Sequence, residues 1–185
     1  IAKAEETSNP TAMYLSTYAL GCAYYLRCNW QKAHDSFQRA AEYIIHYGLT
    51  DRESALSSLY VMMGLCQYGQ EHYAEALDCA DKSIKYGNTN KLDVDFIRLS
   101  VYFYEDRKSE FWKALKEARQ DLLTNSTVDY EYPVFFDVYE EMMNENYDEA
   151  LKHEESFSAK SSRLEMDEAI YLRMKDYQNA YETSS

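Results

Sequence analysis

The sequence predicts an all-α chain, an α-α superhelix of about five helical hairpins, and three observations carry that reading. The first is composition: 5 Gly and 2 Pro with 46% apolar residues leave too few breakers for a turn-rich β fold and too much apolar content for disorder. The second is a phrase in which an aromatic is followed three residues later by Ala. It recurs five times, at Trp30–Ala33, Tyr73–Ala76, Phe111–Ala114, Tyr147–Ala150 and Tyr177–Ala180, with intervals of 43, 38, 36 and 30 residues between the aromatics. The third is helical period around each phrase. Leu20, Gly21 and Tyr24 precede the first copy, and Ala33, Phe37, Ala40 and Ala41 follow; Tyr60, Met63 and Gly64, then Ala76, Ala80 and Ser83, frame the second.

The elements follow in order. The first hairpin spans 11–27 and 30–47, opened by Pro10 in its first turn and closed by Gly48, which suits a left-handed stop after Tyr47. The second spans 51–69 and 72–86, with Asp51 as its start and Gly87 after Tyr86 as its stop. The third, 92–105 and 109–124, starts after Asn90; the fourth, 131–144 and 147–158, carries Pro133 in its first turn; the fifth runs 161–174 and from 176 on. Gly21 and Gly64 each stand 12 residues before the phrase's Ala. A side chain there would hold the paired helices apart, which offsets the roughly 1 kcal/mol that Gly costs inside a helix. The units 11–47, 51–86, 92–124, 131–158 and 161–185 are expected to make one repeat domain over 1–185. Ile at position 1 and the lack of a terminating signal after Tyr181 suggest a piece of a longer protein.

Several functions are disfavoured. With 32 Asp+Glu against 19 Lys+Arg, the net charge of −13 argues against nucleic-acid binding. No apolar run approaches the roughly 18 residues that would cross a bilayer, so membrane insertion is not expected. The four cysteines stand singly and read as free thiols, although Cys66 and Cys79 lie on helices expected to be antiparallel, which leaves one bridge open to them. His34, His46, His72 and His153 are dispersed, without metal-ligand or catalytic spacing, and the glycines never cluster into a phosphate loop. Hence no catalytic residue, metal or cofactor is expected. Asn125-Ser126-Thr127 is a glycosylation sequon by pattern only. Acid concentrates late: ten carboxylates fall in 129–155 against Lys152 alone, as either a solubilising face or a patch that steers a basic partner.

The phrase and its flanks resemble the tetratricopeptide repeat. Leu20-Gly21, Tyr24, Ala33, Phe37 and Ala40 match its signature, as do Met63-Gly64, Tyr73, Ala76 and Leu77. The later units keep only the aromatic and Ala, and Tyr102, Val138 and Glu168 stand where Gly belongs. The resemblance implies a superhelix whose first helices line a groove. In this chain the groove residues would be Tyr18, Tyr25, Leu65, Tyr68, Phe96, Phe103, Tyr132, Phe135 and Tyr139, with Leu15, Cys22, Val61, Leu99 and Met142 among them. Such an apolar, Tyr-rich surface suits a peptide or helix from a protein partner. The same residues can instead pack as core between neighbouring helices, and both readings stand at this point. Tyr18, Cys22, Val61 and Leu65 occupy places where a carboxylate-binding clamp would want Lys, Asn or Arg. By analogy with irregular arrays of this kind, the implied role is the sensing portion of a bacterial membrane-anchored regulator or sensor kinase, cytoplasmic or periplasmic. The alternative is a structural scaffold that dimerises through the same face.

Overall fold

The computed structural model describes residues 9–49, 51–87, 91–124 and 131–175. Among them are nine helices and no strand: α1 Pro10–Tyr25, α2 Trp30–Tyr47, α3 Arg52–Tyr68, α4 Tyr73–Lys85, α5 Lys91–Tyr104, α6 Lys108–Thr124, α7 Glu131–Met143, α8 Tyr147–Glu154 and α9 Lys160–Arg173. The chain is all-α, with helices packed in consecutive pairs, as the composition and phrase spacing predict. Asn90, the sequon at 125–127 and the fifth phrase at Tyr177–Ala180 lie outside the described residues.

One turn closes hairpin after hairpin. Cys28, Glu71, Asp106 and Glu145 all take left-handed φ values (53°, 60°, 52° and 63°). The amide after each donates back to a carbonyl five residues earlier: Asn29 to Tyr24 (3.0 Å), His72 to Gln67 (2.9 Å), Arg107 to Tyr102 (2.8 Å) and Asn146 to Glu141 (2.9 Å). This is the six-to-one bond of a Schellman cap, which satisfies carbonyls that the helix end leaves orphaned. Glycine is the usual occupant of the left-handed place, so its absence in all four turns hid the motif from sequence reading. Lys175 repeats the conformation (φ 60°) after α9.

The turns also correct the register of the third copy. The left-handed residue precedes Ala33, Ala76 and Ala150 by five, yet five residues after Asp106 stands Phe111. Seven residues before the turn stand Gly21 and Gly64, but in α5 that place belongs to Leu99 and not Tyr102. The Phe111–Ala114 phrase thus sits one helical turn late. Large residues, both fully buried, replace the Gly and Ala of the earlier hairpins.

Capping sets the remaining ends. Asn9 accepts from the Ala12 amide (3.1 Å) with Pro10 as first helical residue, and Gly48 supplies the expected left-handed stop of α2 (φ 57°). Asp51 does precede α3, but at φ 56° its carboxylate makes no capping bond. Helix α8 ends at Glu154 rather than near 158. There the Phe157 amide turns back to the Glu154 carbonyl (3.1 Å), and the Phe157 ring packs 4.6 Å from Phe135.

Packing divides the chain into two compact units, residues 1–101 and 102–185, with the division inside α5. In the first, Ala33, Phe37, Ala40, Ala41 and Ile44 of α2 face Leu56, Leu59, Met63 and Cys66 of α3, with Cys79 of α4. Each large apolar side chain buried this way contributes about 1.5–3 kcal/mol. A Cβ on Gly21 would stand 2.6 Å from the Phe37 ring, and one on Gly64 3.1 Å from Ile97 and 3.3 Å from Cys79, so both glycines are contact points as the sequence implies. Gly69 is a third: the Trp30 indole lies where its Cβ would be, 2.8 Å away, so the first phrase's aromatic plugs the next hairpin's turn.

The second unit is built differently. Its interior is aromatic: Phe103 lies 4.7 Å from Tyr139 and 6.4 Å from Phe111, all three fully buried. Helix α9 closes it with Met166, Ala169 and Ile170. Arg173 lays its guanidinium 4.1 Å over the Phe103 ring and donates to the Phe103 carbonyl at 2.7 Å.

Candidate interaction surface

Helix α1 carries no charged residue from Pro10 to Leu26 and is apolar on every side, so amphipathic patterning does not choose which face it buries. The Gly21–Phe37 contact does. With Met13, Thr17 and Gly21 turned inward, the 3.6-residue period brings Tyr14, Tyr18, Cys22 and Tyr25 together on a half-buried flank. That flank is braced rather than loose. Tyr18 lies 6.2 Å from Tyr14 and 5.7 Å from Phe37, and Tyr25 meets the Trp30 edge at 5.2 Å. Burial, and then Cys22, push the Tyr14 and Tyr18 hydroxyls above the ordinary phenol range, so both stay protonated donors at neutral pH.

On α3 the half-buried Leu65 and Tyr68 share a face, and Tyr68 stands edge-on to Phe96 of α5 at 6.2 Å. Among the nine sequence-derived groove residues, Tyr18, Tyr25, Leu65, Tyr68, Phe96 and Tyr132 are therefore half-buried. Tyr132 lies 6.2 Å from Phe136, in the second unit. Phe103, Phe135 and Tyr139 are buried, and for them the sequence's open choice between groove and core falls to core. Arg173 covers the Phe103 ring, Phe157 packs on Phe135, and Tyr139 packs against both Phe103 and Phe135, contacts from distant parts of the chain that patterning along one helix could not reveal. Val61, Leu99 and Met142 are buried as well, whereas Leu15 is 54% exposed. Sequence reading passed over Tyr14, four residues before Tyr18 on the same face, and the Trp30–Gly69 contact.

Other chemistry is sparse. All four cysteines are free thiols, so the bridge open to Cys66 and Cys79 is not formed. Burial pushes Cys66 up to about 12 and Cys79 up to about 11, which leaves neither a nucleophile at neutral pH. Among the described residues no group of three His, Cys, Asp or Glu is placed to hold a metal, and no helix is long and apolar enough to cross a membrane. An open hollow of about 360 Å³ is lined by Glu145, Asn146, Tyr147, Asp148, Glu149 and Met174, with neither His nor Cys beside its carboxylates.

Much of the late acid is engaged internally. Asp137 (2.8 Å) and Glu140 both pair with Arg119, Glu141 accepts from Asn146 (2.9 Å), Glu149 pairs with Lys152 (2.5 Å), and Glu131 accepts from Ser158 (2.9 Å) and from the Ala159 amide (2.8 Å). Arg119 and the Glu131 contacts tie separate elements together, while Glu145, Asp148 and Glu155 stand exposed. No protein-family model, curated protein or solved structure matches the chain.

Proposed function

We propose that this chain is a non-enzymatic interaction module of tetratricopeptide-like design, serving a signalling or regulatory protein, and that the first unit's aromatic flank takes a peptide or helix from a protein partner. One observation carries the reading: Tyr14, Tyr18, Cys22 and Tyr25 stand half-buried on an uncharged helix and are held in place by Phe37 and Trp30. Rigid tyrosines present large apolar area with a polar tip and lose little side-chain entropy on binding. Leu65, Tyr68 and Phe96 extend the same chemistry on α3 and α5. Because α1 offers no charge to pair with, the favoured ligand is itself apolar along its contact face, and its affinity should change little with salt.

A phage-displayed library of helical peptides, selected against the chain, supplies a probe. Tyr18→Ala with Tyr68→Ala should weaken the selected peptides tenfold or more while helicity by circular dichroism is kept. Peptides that bind the variant equally well would remove the flank from the interaction. The scaffold reading has its own support, since Leu15 and Leu26 (54% and 81% exposed) crown α1 with apolar surface. Light scattering separates the two: a stable dimer without peptide capture favours the scaffold.

A further inference from the structure

The turns that follow α1 and α3 place the two helices in one register. Cys28 and Glu71 are the left-handed residues, so each position of α1 matches the one 43 residues later in α3, as Gly21 matches Gly64. In α3, Leu59, Met63 and Cys66 are 0%, 4% and 0% exposed, because α2 lies across them. Their counterparts in α1 are Ser16 and Leu20, both half-buried, and Ala23, which is exposed. Gly69, which receives the Trp30 indole at the start of α2, matches Leu26, 81% exposed. Among the described residues, then, α1 keeps open the face that α3 has covered. An array that ends in water needs a polar outer face, yet α1 carries no charge from Pro10 to Leu26. We propose that this face of α1 docks one helix of a protein partner, laid antiparallel to α1 as α2 is laid on α3.

The α2–α3 interface states the chemistry of the occupant. It is an amphipathic helix with an apolar stripe like that of α2, its N-terminus beside Leu26 and its C-terminus towards Met13. A second copy does not supply it, since the α2 stripe of that copy, Ala33, Phe37 and Ala40, is fully buried in its own hairpin. The open face is also smaller than the one on α3, with Ser16 for Leu59 and Ala23 for Cys66. The incoming helix therefore brings aliphatic or aromatic side chains at three- and four-residue spacing to fill it. Beside Leu26 it brings a small residue, because a leucine stands where Gly69 leaves room for an indole. Tyr18 lies about 140° around α1 from Ala23, so the aromatic flank and this face are separate surfaces.

A peptide with the sequence of residues 31–48, held helical by a hydrocarbon staple on its polar face, is the probe: it carries the α2 stripe without the indole. Fluorescence anisotropy reads its binding to the full chain. The wild-type chain should bind it, and Ala23→Glu and Ser16→Lys should each weaken it about tenfold or more with helicity kept. Leu15→Glu should bind as the wild type does, since its counterpart Ser58 is exposed on α3 too. Tyr18→Ala with Tyr68→Ala should also keep this peptide, which separates a failure of the aromatic flank from a failure of this face. No binding up to about 1 mM, an equal loss in Leu15→Glu, or a dimer of the chain alone that Ala23→Glu breaks would each overturn the proposal. If Ala23→Glu fails to fold, Ser16→Lys and Leu15→Glu still decide.

Discussion

The two units close their hairpins with the same left-handed turn yet dispose of their aromatics in opposite ways. In the first, Gly21 and Gly64 let helices meet over Phe37, Cys79 and Ile97, and Tyr14, Tyr18, Tyr25 and Tyr68 remain half-buried outside that contact. In the second, Val138 occupies the glycine place, and Phe103, Phe111, Phe136 and Tyr139 are fully buried. A shared register position therefore does not decide whether an aromatic is surface or core. What decides it is how much neighbouring structure covers the position, as Arg173 covers Phe103 and as Phe103 and Phe135 flank Tyr139.

The largest expected effect breaks the comparison at its core side. Tyr139→Ala should destabilise the second unit by about 3–5 kcal/mol, the range for emptying a buried aromatic site, whereas Tyr18→Ala should cost well under half of that. Urea unfolding of both variants checks this, and equal losses would erase the distinction between flank and core. Next comes Gly21→Ala. Helix propensity alone would favour it by about 1 kcal/mol, but the new Cβ would meet the Phe37 ring at 2.6 Å, so a net loss of about 1–3 kcal/mol is expected. A more stable variant would show that the ring can give way.

The hairpin boundaries were legible because the phrase, Gly48 and Gly87 mark them within one to three residues for most helices. The register of the third hairpin was not. Phe111 and Ala114 are three residues apart, close to one helical turn, so a slip of that size keeps every apolar residue on nearly the same face and leaves the periodicity intact. Only the turn at Asp106 fixes it, and that turn contains no glycine to betray it. The candidate surface was half legible for a related reason. Tyr18 and Tyr139 fit one pattern along their helices, but their exposure depends on residues far away in sequence.

A smaller effect sharpens the likeness between the units. Glu71→Gly and Glu145→Gly place glycine where φ is already left-handed, and each should raise stability by up to about 1 kcal/mol. Thermal unfolding would show the gain, and similar values in the two units would confirm that one turn serves both. Smallest of all is the thiol chemistry. Cys66 and Cys79 should resist a maleimide at pH 7 in the native chain and react on unfolding, as mass spectrometry can count.

The claim that the first unit's aromatic flank is a binding surface is tested most directly by calorimetric titration of a library-selected helical peptide. The wild-type chain and the Tyr18→Ala, Tyr68→Ala variant would be compared at two salt concentrations. The account predicts affinity at least tenfold weaker in the variant, little change with salt, and an unfolding transition that stays cooperative. Unchanged affinity in a folded variant would contradict it.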